Sequence, residues 1–445
     1  MENVVYETLG DLRKTHYSTD LTSKLADQEV VVAGWAFRVR KLGAMIFMVL
    51  QDKYGQIQVT AKKGVVSDKI FEKMKSIGHQ WCVLIRGRLQ AFAKAPHGVE
   101  LIPLEIRIMN SAVEQLPLDM TGKSMSDLDT RLNHRSLDLR HPRNLAIFRI
   151  HSVLLQETRN FLTSQNFTEI ITPKIIASAT EGGTELFPIK YFDQDAYLSQ
   201  SAQLYKERLC SVYERVFEIG PCYRAEKSFT NRHLCEIYQI DMEMGFADYT
   251  DVLNMVERMV VHVLTQIKKK CHEDLEILGQ LENFEIPSLP LPRYTYEEIL
   301  KMIEEKLGIK IEFGEDISTE AYRKLDSLLP GYYFIIKWPM ESKPFYIHYD
   351  PENPKLSHGF DLQKGWLELA SGGTRVHERD LLEKNLREKG LNPDNFKSHL
   401  QAFDYGMPPH AGLGMGVARW LQIITGVEQI KECVMYPRTP DRLDP

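Results

Sequence analysis

The strongest constraint on the fold is a run of five short segments near the N-terminus that are rich in β-branched and apolar residues. These segments span 30–37, 46–50, 56–60, 82–89 and 99–108. Between the third and the fourth, residues 68–77 place Ile70, Phe71 and Met74 on one face of a helix. Five strands with a helix after the third predict an OB-fold barrel. Any other small β-barrel is the alternative that the pattern leaves open.

The same region is strongly basic inside a chain that is acidic overall. Residues 31–100 contain twelve Lys or Arg and four Asp or Glu, a local charge of +8, whereas the 445 residues together carry −6. A small basic module joined to a larger acidic body is typical of a nucleic-acid-binding domain attached to a second domain. The total charge therefore does not exclude a nucleic-acid partner.

Composition excludes several other classes of protein. The chain is 43% hydrophobic and 26% charged, which is ordinary for a globular protein and unlike a disordered or collagen-like chain. We find no apolar run of the ~18 residues that a membrane-spanning helix needs, and we expect no secretory signal. The six cysteines form no C-x-x-C pair, which predicts reduced thiols in a cytoplasmic protein.

The remainder of the chain divides into a hinge and a large body. Residues 112–142 are polar with little apolar periodicity, which predicts a hinge after a domain of residues 1–111. From residue 143 to 445, strands and helices alternate without a regular βαβ rhythm. This pattern favours an α+β fold over a doubly wound parallel sheet.

Two stretches of the large body first attract attention. Residues 166–176 lead from a helix end into a strand that contains Pro173, and proline suits a sheet edge or an interface. Residues 217–236 place Arg224 and Arg232 eight positions apart across an expected hairpin. Two guanidinium groups there can converge on one polyanion, because arginine stays charged and binds phosphate with two donors.

A third stretch, 408–421, alternates glycines just before an apolar helix. Gly412, Gly414 and Gly416 let a flat ligand lie against a strand where a Cβ would clash. Arg419 adds positive charge at the helix start, as anion binding requires. The stretch is neither a Walker loop nor a dinucleotide-binding turn, because the Lys-Ser/Thr pair and the later acid are both missing.

In this order the three stretches resemble motifs 1, 2 and 3 of the class II aminoacyl-tRNA synthetases. With the N-terminal barrel they resemble the aspartate–asparagine–lysine subgroup, and in it the aspartyl-tRNA synthetases of archaeal and eukaryotic type. The resemblance extends over nearly the whole chain, including 436–443. It implies an antiparallel sheet flanked by helices, a cytoplasmic homodimer, and ATP-dependent attachment of L-aspartate to tRNA(Asp) through an aspartyl-adenylate.

The resemblance also implies roles for single residues of motifs 2 and 3. Arg224 would hold the α-phosphate and the amino-acid carboxylate, and Arg419 would lie against the adenine and the γ-phosphate; both would be catalytic. The other expected ATP contacts are Ala225, Glu226, Arg232, His233, Leu234, Glu368, Gly416, Val417 and Ala418. A Mg²⁺ ion would be bound by Glu368, Ser371 and Asp361, because phosphates complete its octahedral coordination.

The aspartate pocket implied by the resemblance comprises Glu181, Gln203, Lys206, Arg224, Asp241, Ser371 and Arg375. Glu181 would bind the α-ammonium group, and residues 200–206 would form a substrate strand. A buried ammonium group at Lys206 needs an anionic partner, which an aspartate side chain provides and an asparagine amide does not. Asparagine enzymes of the subgroup have Leu at this position. Arg375 would bind the same carboxylate with two donors, and Asp241 would balance the charge.

The barrel is expected to read the anticodon with Phe37, Arg40, Phe47, Gln58 and Pro96. Phe47 would stack on the central U, Gln58 would bond to its edge, and Arg40 would hold a base or a phosphate, as is usual for single-stranded loops. Enzymes restricted to tRNA(Asp) tend to have Trp near Phe37 and Lys near residue 96. Relaxed enzymes have Pro at the second place, so Pro96 indicates an enzyme that also charges tRNA(Asn).

Two residues depart from the family pattern, and three other functions remain open. Ala418 stands where an acid often precedes the motif 3 arginine, and Phe229 stands where a small polar residue is usual. The alternatives are an asparagine–tRNA ligase, a tRNA-independent amino-acid ligase on the same fold, and a non-catalytic RNA-binding protein. The second should have lost the basic barrel. The third should have lost some of four residues that are all present: Arg224, Glu368, Arg375 and Arg419.

Overall fold

The computed structural model describes residues 5–121, 124–177, 185–226 and 233–445. The chain divides into two compact units, residues 1–145 and 146–444. In the described ranges, no helix is long and apolar enough to cross a membrane.

The first unit contains the barrel that the strand pattern predicts. Its five strands form a closed barrel in the order β1-β2-β3-β5-β4. The elements are β1 (Glu29–Leu42), β2 (Met45–Gln51), β3 (Gln56–Lys62), α1 (Asp68–Ser76), β4 (Cys82–Ala91) and β5 (Val99–Asn110). Ser67 caps α1 by accepting a hydrogen bond from the Ile70 amide. The OB-fold prediction is confirmed.

Residues 112–142 contain two short helices, α2 (Leu128–Asn133) and α3 (Arg135–Asp138). They hold a buried ionic cluster. Arg131 Nε donates to Asp138 Oδ1 at 2.9 Å, and Arg135 Nη1 donates to Asp138 Oδ2 at 2.5 Å. One carboxylate shared by two guanidinium groups satisfies charges that would be costly to bury alone.

The second unit is built on one eight-stranded sheet of order β12-β13-β16-β17-β18-β11-β10-β6. Its inner pairs are antiparallel, and the pairs at both edges, β12–β13 and β10–β6, are parallel. The strands of the whole unit are β6 (Thr168–Glu169), β7 (Ile175–Ile176), β8 (Pro188–Tyr191), β9 (Gln194–Leu198), β10 (Arg215–Tyr223), β11 (Glu236–Gly245), β12 (Arg293–Thr295), β13 (Tyr332–Ile336), β14 (Tyr349–Asp350), β15 (Asn353–Ser357), β16 (Gly359–Lys364), β17 (Leu367–Thr374) and β18 (His410–Gly416). Of these, β7, β8 and β9 form a separate three-stranded sheet, and β14 and β15 form a two-stranded one. The predicted α+β fold with helices around an antiparallel sheet is confirmed.

Helices pack against both faces of this sheet. They are α4 (Pro142–Ser164), α5 (Gln203–Tyr213), α6 (Tyr249–Lys270), α7 (His272–Ile277), α8 (Tyr296–Leu307), α9 (Thr319–Leu325), α10 (Arg379–Glu388), α11 (Lys397–Phe403) and α12 (Val417–Thr425). A capping box of Asp248 and Asp251 starts α6. Its apolar stripe, which includes Val256 and Val260, joins Trp420 of α12 in the main core.

Strand alternation separates the core from the site. In β11 the side chains of Ile240 and Met242 belong to the main core, so the residues between them point to the opposite face. Asp241 and Glu243 lie on that opposite face. Leu413 of β18 is likewise in the core, between two of the alternating glycines. The polar face of the central strands is therefore available for a binding site.

Candidate active site

A cavity of about 420 Å³ lies on the polar face of the central strands. It is lined from β11, β17 and β18, from the N-terminal end of α5 and from the segments after β10 and before β11. Most of the described residues that the sequence nominated line it: Gln203, Arg224, Glu226, His233, Leu234, Asp241, Glu368, Ser371, Arg375, Gly416, Ala418 and Arg419. Lys206 lies directly behind this wall, and Asp361 lines an adjoining cavity.

Three nominated residues, Glu181, Phe229 and Arg232, lie outside the described residues, as does the side chain of Pro96. Two others contribute no side chain to the cavity. Val417 is buried in the main core, because it begins α12 on the face that packs under the sheet. Ala225 follows Arg224, and its amide donates to the Glu185 carbonyl at 2.9 Å. An ATP contact at Val417 would have to be made by its backbone.

The segment 200–206 is not the strand expected from the sequence. Gln203 begins α5 and Lys206 lies one turn later, so both side chains are on one face of the helix. Lys206 Nζ donates to Asp241 Oδ1 at 2.9 Å and to the Leu413 carbonyl at 2.8 Å. The side chain is only 1% exposed. The anionic partner that a buried ammonium group requires is therefore supplied by β11 of the chain itself, where the sequence reasoning had assigned it to the substrate.

Arg375 is paired in the same way. Its Nε donates to Glu243 Oε1 at 2.9 Å and its Nη2 to Glu243 Oε2 at 3.2 Å. Burial by itself would lower the pKa of Arg375, but the Glu243 carboxylate outweighs that effect and raises the pKa above its usual range. Gly412 is necessary for this pair, because a Cβ at that position would overlap the Glu243 carboxylate. In the described structure the two-donor contact of Arg375 is thus occupied by Glu243.

A further buried cluster lies behind Gln203, and the sequence reasoning missed it. Gln203 Nε2 donates to Glu207 Oε1 at 2.5 Å, and Glu207 Oε2 lies 3.4 Å from His399 Nε2 and 3.8 Å from His410 Nε2. Burial would raise the pKa of Glu207, but the two imidazoles lower it strongly. Burial acts against the charge of His410, yet Glu207 raises its pKa. The helical spacing of four between residues 203 and 207 is the signal that could have found this cluster.

The motif 2 residues lie where the cavity opens. Arg224 follows the last residue of β10, and its amide donates to the Cys235 carbonyl at 2.9 Å. Its Nη1 lies 3.9 Å from Glu226 Oε1, and His233 Nε2 lies 3.9 Å from Glu226 Oε2. At these separations Glu226 attracts the Arg224 guanidinium and, when it is protonated, the His233 imidazole, without a close hydrogen bond to either. All three side chains are about one-third exposed and accessible to a ligand.

Two carboxylates and a hydroxyl lie together on β16 and β17. Asp361 pairs across the strands with Ser371, and Arg419 Nη1 donates to the Glu368 carbonyl at 3.0 Å and to its Oε1 at 3.3 Å. Partial burial in the cavity wall raises the pKa of Glu368, and the Asp361 carboxylate raises it further. A cation would relieve this repulsion, and oxygen ligands are those that Mg²⁺ prefers. The described residues contain no cluster of three or more His, Cys, Asp or Glu that could hold a metal alone.

In the first unit, strand register brings three of the nominated anticodon contacts onto one outer face. Arg40 pairs with Phe47, and Phe47 pairs with Thr60, two residues beyond Gln58. Arg40 is exposed, and Phe47 and Gln58 are half-buried. Gln58 Nε2 donates to Glu100 Oε2 at 2.9 Å, which orients its amide.

Phe37 packs beside Val49 on this same face, but other residues cover its ring, which is therefore not open to an anticodon base. The pairing of β1 with β2 shifts by one residue between Ala36 and Arg38, which makes Phe37 the extra residue of a β-bulge. Its ring is buried with Leu118 and Met120. A small satellite core thus covers an aromatic side chain that the sequence pattern left on an open outer face.

Comparisons with known proteins agree with this geometry. Residues 127–440 match the family described as class II tRNA synthetases (D, K and N), and residues 30–109 match the OB-fold nucleic acid binding domain. An aspartate–tRNA(Asp/Asn) ligase of Methanothermobacter thermautotrophicus is 45% identical over 98% of this chain and 100% of its own length. One of Saccharolobus solfataricus is 44% identical over 97% of this chain and 100% of its own.

Solved structures share the fold over nearly the full length. The asparaginyl-tRNA synthetase of Pyrococcus horikoshii, complexed with asparaginyl-adenylate, has a TM-score of 0.91 at 31% identity and covers 98% of this chain and 100% of that one. The aspartyl tRNA synthetase of Entamoeba histolytica has a TM-score of 0.85 at 30% identity, with 98% and 93% covered. With its barrel, its motif 2 and 3 residues around one cavity and these matches, the chain belongs to the class II aminoacyl-tRNA synthetases of the aspartate, lysine and asparagine group.

Proposed function

We propose that this protein is an aspartate–tRNA ligase that makes aspartyl-adenylate from ATP and transfers the aspartyl group to tRNA(Asp) and tRNA(Asn). The observation that carries the proposal is the pair of buried cations, Lys206 and Arg375, at the amino-acid end of the cavity. The full-length relatives named for the same reaction support it.

The charges of this pocket favour an acidic substrate. Lys206 and Arg375 are balanced by Asp241 and Glu243, so the cluster is neutral when the cavity holds no ligand. The Nη1 group of Arg375 makes no hydrogen bond within the described residues, so it can donate to a substrate carboxylate, and such a charge-assisted bond is strong where water is excluded. The side-chain amide of asparagine is uncharged, so it would not gain this charge-assisted interaction. The same pocket therefore binds aspartate more tightly.

The chemistry needs positioning and charge neutralisation more than covalent catalysis. A carboxylate oxygen of aspartate attacks the α-phosphorus of ATP, and diphosphate leaves. Arg224 holds the α-phosphate, and Arg419 neutralises charge on the outer phosphates from the start of α12. In the second step a hydroxyl of the terminal adenosine of tRNA attacks the aspartyl carbonyl, and AMP leaves.

The metal, the partners and the location follow as parts of the same proposal. When bound, Mg²⁺ would neutralise phosphate charge, held by Glu368, Ser371 and Asp361. The face of Arg40, Phe47 and Gln58 would read the anticodon loop. Motif 1 lies at a two-fold interface in the family that this chain resembles, so we propose a homodimer that works in the cytoplasm, where its tRNA substrates are.

A second candidate is an asparagine–tRNA ligase, favoured by the structural likeness to the Pyrococcus horikoshii enzyme. ATP–diphosphate exchange with each amino acid separates the two. We expect exchange with aspartate at least 100-fold more efficient than with asparagine, followed by aspartylation of both tRNAs. Exchange with asparagine alone would support an asparagine–tRNA ligase instead of the proposed function. Charging of tRNA(Asp) alone would show that tRNA(Asn) is not a substrate.

A further inference from the structure

A second cavity, of about 370 Å³, adjoins the nucleotide end of the first. The two cavities share five lining residues: His233, Lys343, Glu368, Ser371 and Arg419. Four of these have roles expected from the family resemblance. Lys343 has none, although its side chain reaches both cavities from the segment that precedes β14.

Three different kinds of contact hold the side chain of Lys343 in place. Its Nζ donates to Asp361 Oδ1 at 3.2 Å and Oδ2 at 3.3 Å, and it lies 4.4 Å from the ring centroid of Trp338. Gly359 leaves room for the lysine stem, because a Cβ there would come within 3.1 Å of Lys343 Cε. A carboxylate, an aromatic face and a glycine thus direct one ammonium group to the wall between the cavities.

This ammonium group keeps capacity for another partner. It has three N–H donors, and within the described residues its hydrogen bonds go to Asp361 alone. The side chain is 10% exposed, and that exposed part faces the cavities. Arg224, Arg419 and the proposed Mg²⁺ would neutralise much of the charge of a triphosphate, and Lys343 would add a further cation at this wall, where the leaving diphosphate gains charge.

We propose that Lys343 binds the β- and γ-phosphates of ATP and the diphosphate that leaves. This inference rests on the proposed function and adds a residue to its site. As the aspartate carboxylate oxygen bonds to the α-phosphorus, the bond from that phosphorus to the bridging oxygen breaks. Diphosphate takes the electron pair, and Lys343 stabilises the charge that it gains. A lysine suits this task as a compact charge that follows the moving phosphates.

The test compares Lys343→Met, which keeps the apolar stem against Trp338 and Gly359, with Lys343→Arg, which restores the charge. Lys364→Met is a matched control, because Lys364 also pairs with a carboxylate, Glu285 at 3.4 Å, and lies over an aromatic ring, yet lines neither cavity. We would measure the thermal shift produced by inorganic diphosphate and by ATP, without aspartate. We would then measure KM for ATP, diphosphate and aspartate in exchange.

In Lys343→Met we expect ATP and diphosphate to bind roughly 10- to 100-fold more weakly, as the loss of one charged hydrogen bond predicts. KM for aspartate should change by less than about twofold, and Lys343→Arg should recover most of the loss. Equal weakening of all three substrates, or unchanged diphosphate binding, would make Lys343 only the counter-ion of Asp361 and overturn the inference. Absence of aspartate exchange in the unaltered enzyme would instead refute the proposed function, since the diphosphate shift is read separately.

Discussion

The two ends of the active-site cavity hold their charges in opposite ways. At the amino-acid end, Lys206 and Arg375 are almost completely buried and bonded to carboxylates at 2.9 Å. At the nucleotide end, Arg224 and Arg419 are about one-third exposed, and their carboxylate partners are 3.9 and 3.3 Å away. The first end is a closely paired ionic network, which in the proposed function would recognise a small substrate by shape and charge. The second holds its cations at longer separations from carboxylates and exposes them to the cavity, where phosphates are proposed to bind.

Replacement of Arg375, at the amino-acid end, should have the largest effect on the free energy of unfolding. In Arg375→Met, Glu243 remains buried without its partner, so the free energy of unfolding should fall by about 3–5 kcal/mol. Denaturant unfolding measures this directly. Arg375→Met combined with Glu243→Gln should recover part of the stability, because the unpaired charge is then removed. If the variant unfolds at the same denaturant concentration as the unaltered enzyme, the Arg375–Glu243 pair does not stabilise this end of the cavity.

Replacement of Arg419 should have the converse effect. Its exposed pair with Glu368 contributes less than about 1 kcal/mol to folding, so Arg419→Met should keep its unfolding midpoint. The rate of adenylate formation should fall by roughly 10²–10³-fold, as for removal of one group that stabilises developing charge. Single-turnover kinetics with aspartate and ATP would show it. A large loss of stability would break the contrast between the two ends.

Two glycines of β18 offer a finer comparison. A Cβ at Gly412 would overlap the Glu243 carboxylate, whereas a Cβ at Gly414 would lie 3.4 Å from Asp241 Oδ1, an ordinary contact. Gly412→Ala should therefore lower the free energy of unfolding by about 1–3 kcal/mol. Gly414→Ala should change the free energy of unfolding by less than about 0.5 kcal/mol. It should instead raise the substrate KM in the exchange reaction, because the added methyl group enters the cavity. Thermal unfolding and exchange kinetics on the pair would measure both effects.

The smallest effect concerns pH and the cluster behind Gln203. The pKa of buried His410 is raised by Glu207, so its stabilising contribution is complete below the usual histidine pKa of about 6.5 and is lost as pH rises through the raised value. The free energy of unfolding should decline above neutral pH by about 1 kcal/mol. His410→Asn should flatten this dependence. If the stability of that variant depends on pH as in the unaltered protein, protonation of His410 is not the cause of the pH dependence.

Much of the fold could be predicted from the sequence, because local sequence patterns and tertiary contacts favour the same strands and helices. The five barrel strands and α1 begin within a residue of their expected positions, since each has a two-residue or helical periodicity of its own. The strand expected at residues 200–206 came from the family resemblance, and seven residues are too few for periodicity to have corrected it. The burial of Phe37 was also missed, because Leu118 and Met120, which cover it, lie far along the chain.

The sequence by itself determined the fold class, the family and about half of the residues around the cavity, because motif spacing and residue chemistry are local properties. Tertiary structure alone decided which charges neutralise one another. Asp241, Glu243 and Leu413 reach Lys206 and Arg375 only through the register of β11 with β18, and Lys343 meets Asp361 only because Gly359 leaves it room. Charge pairing depends on distance and on the exclusion of water, and both are set by contacts between residues far apart in the chain.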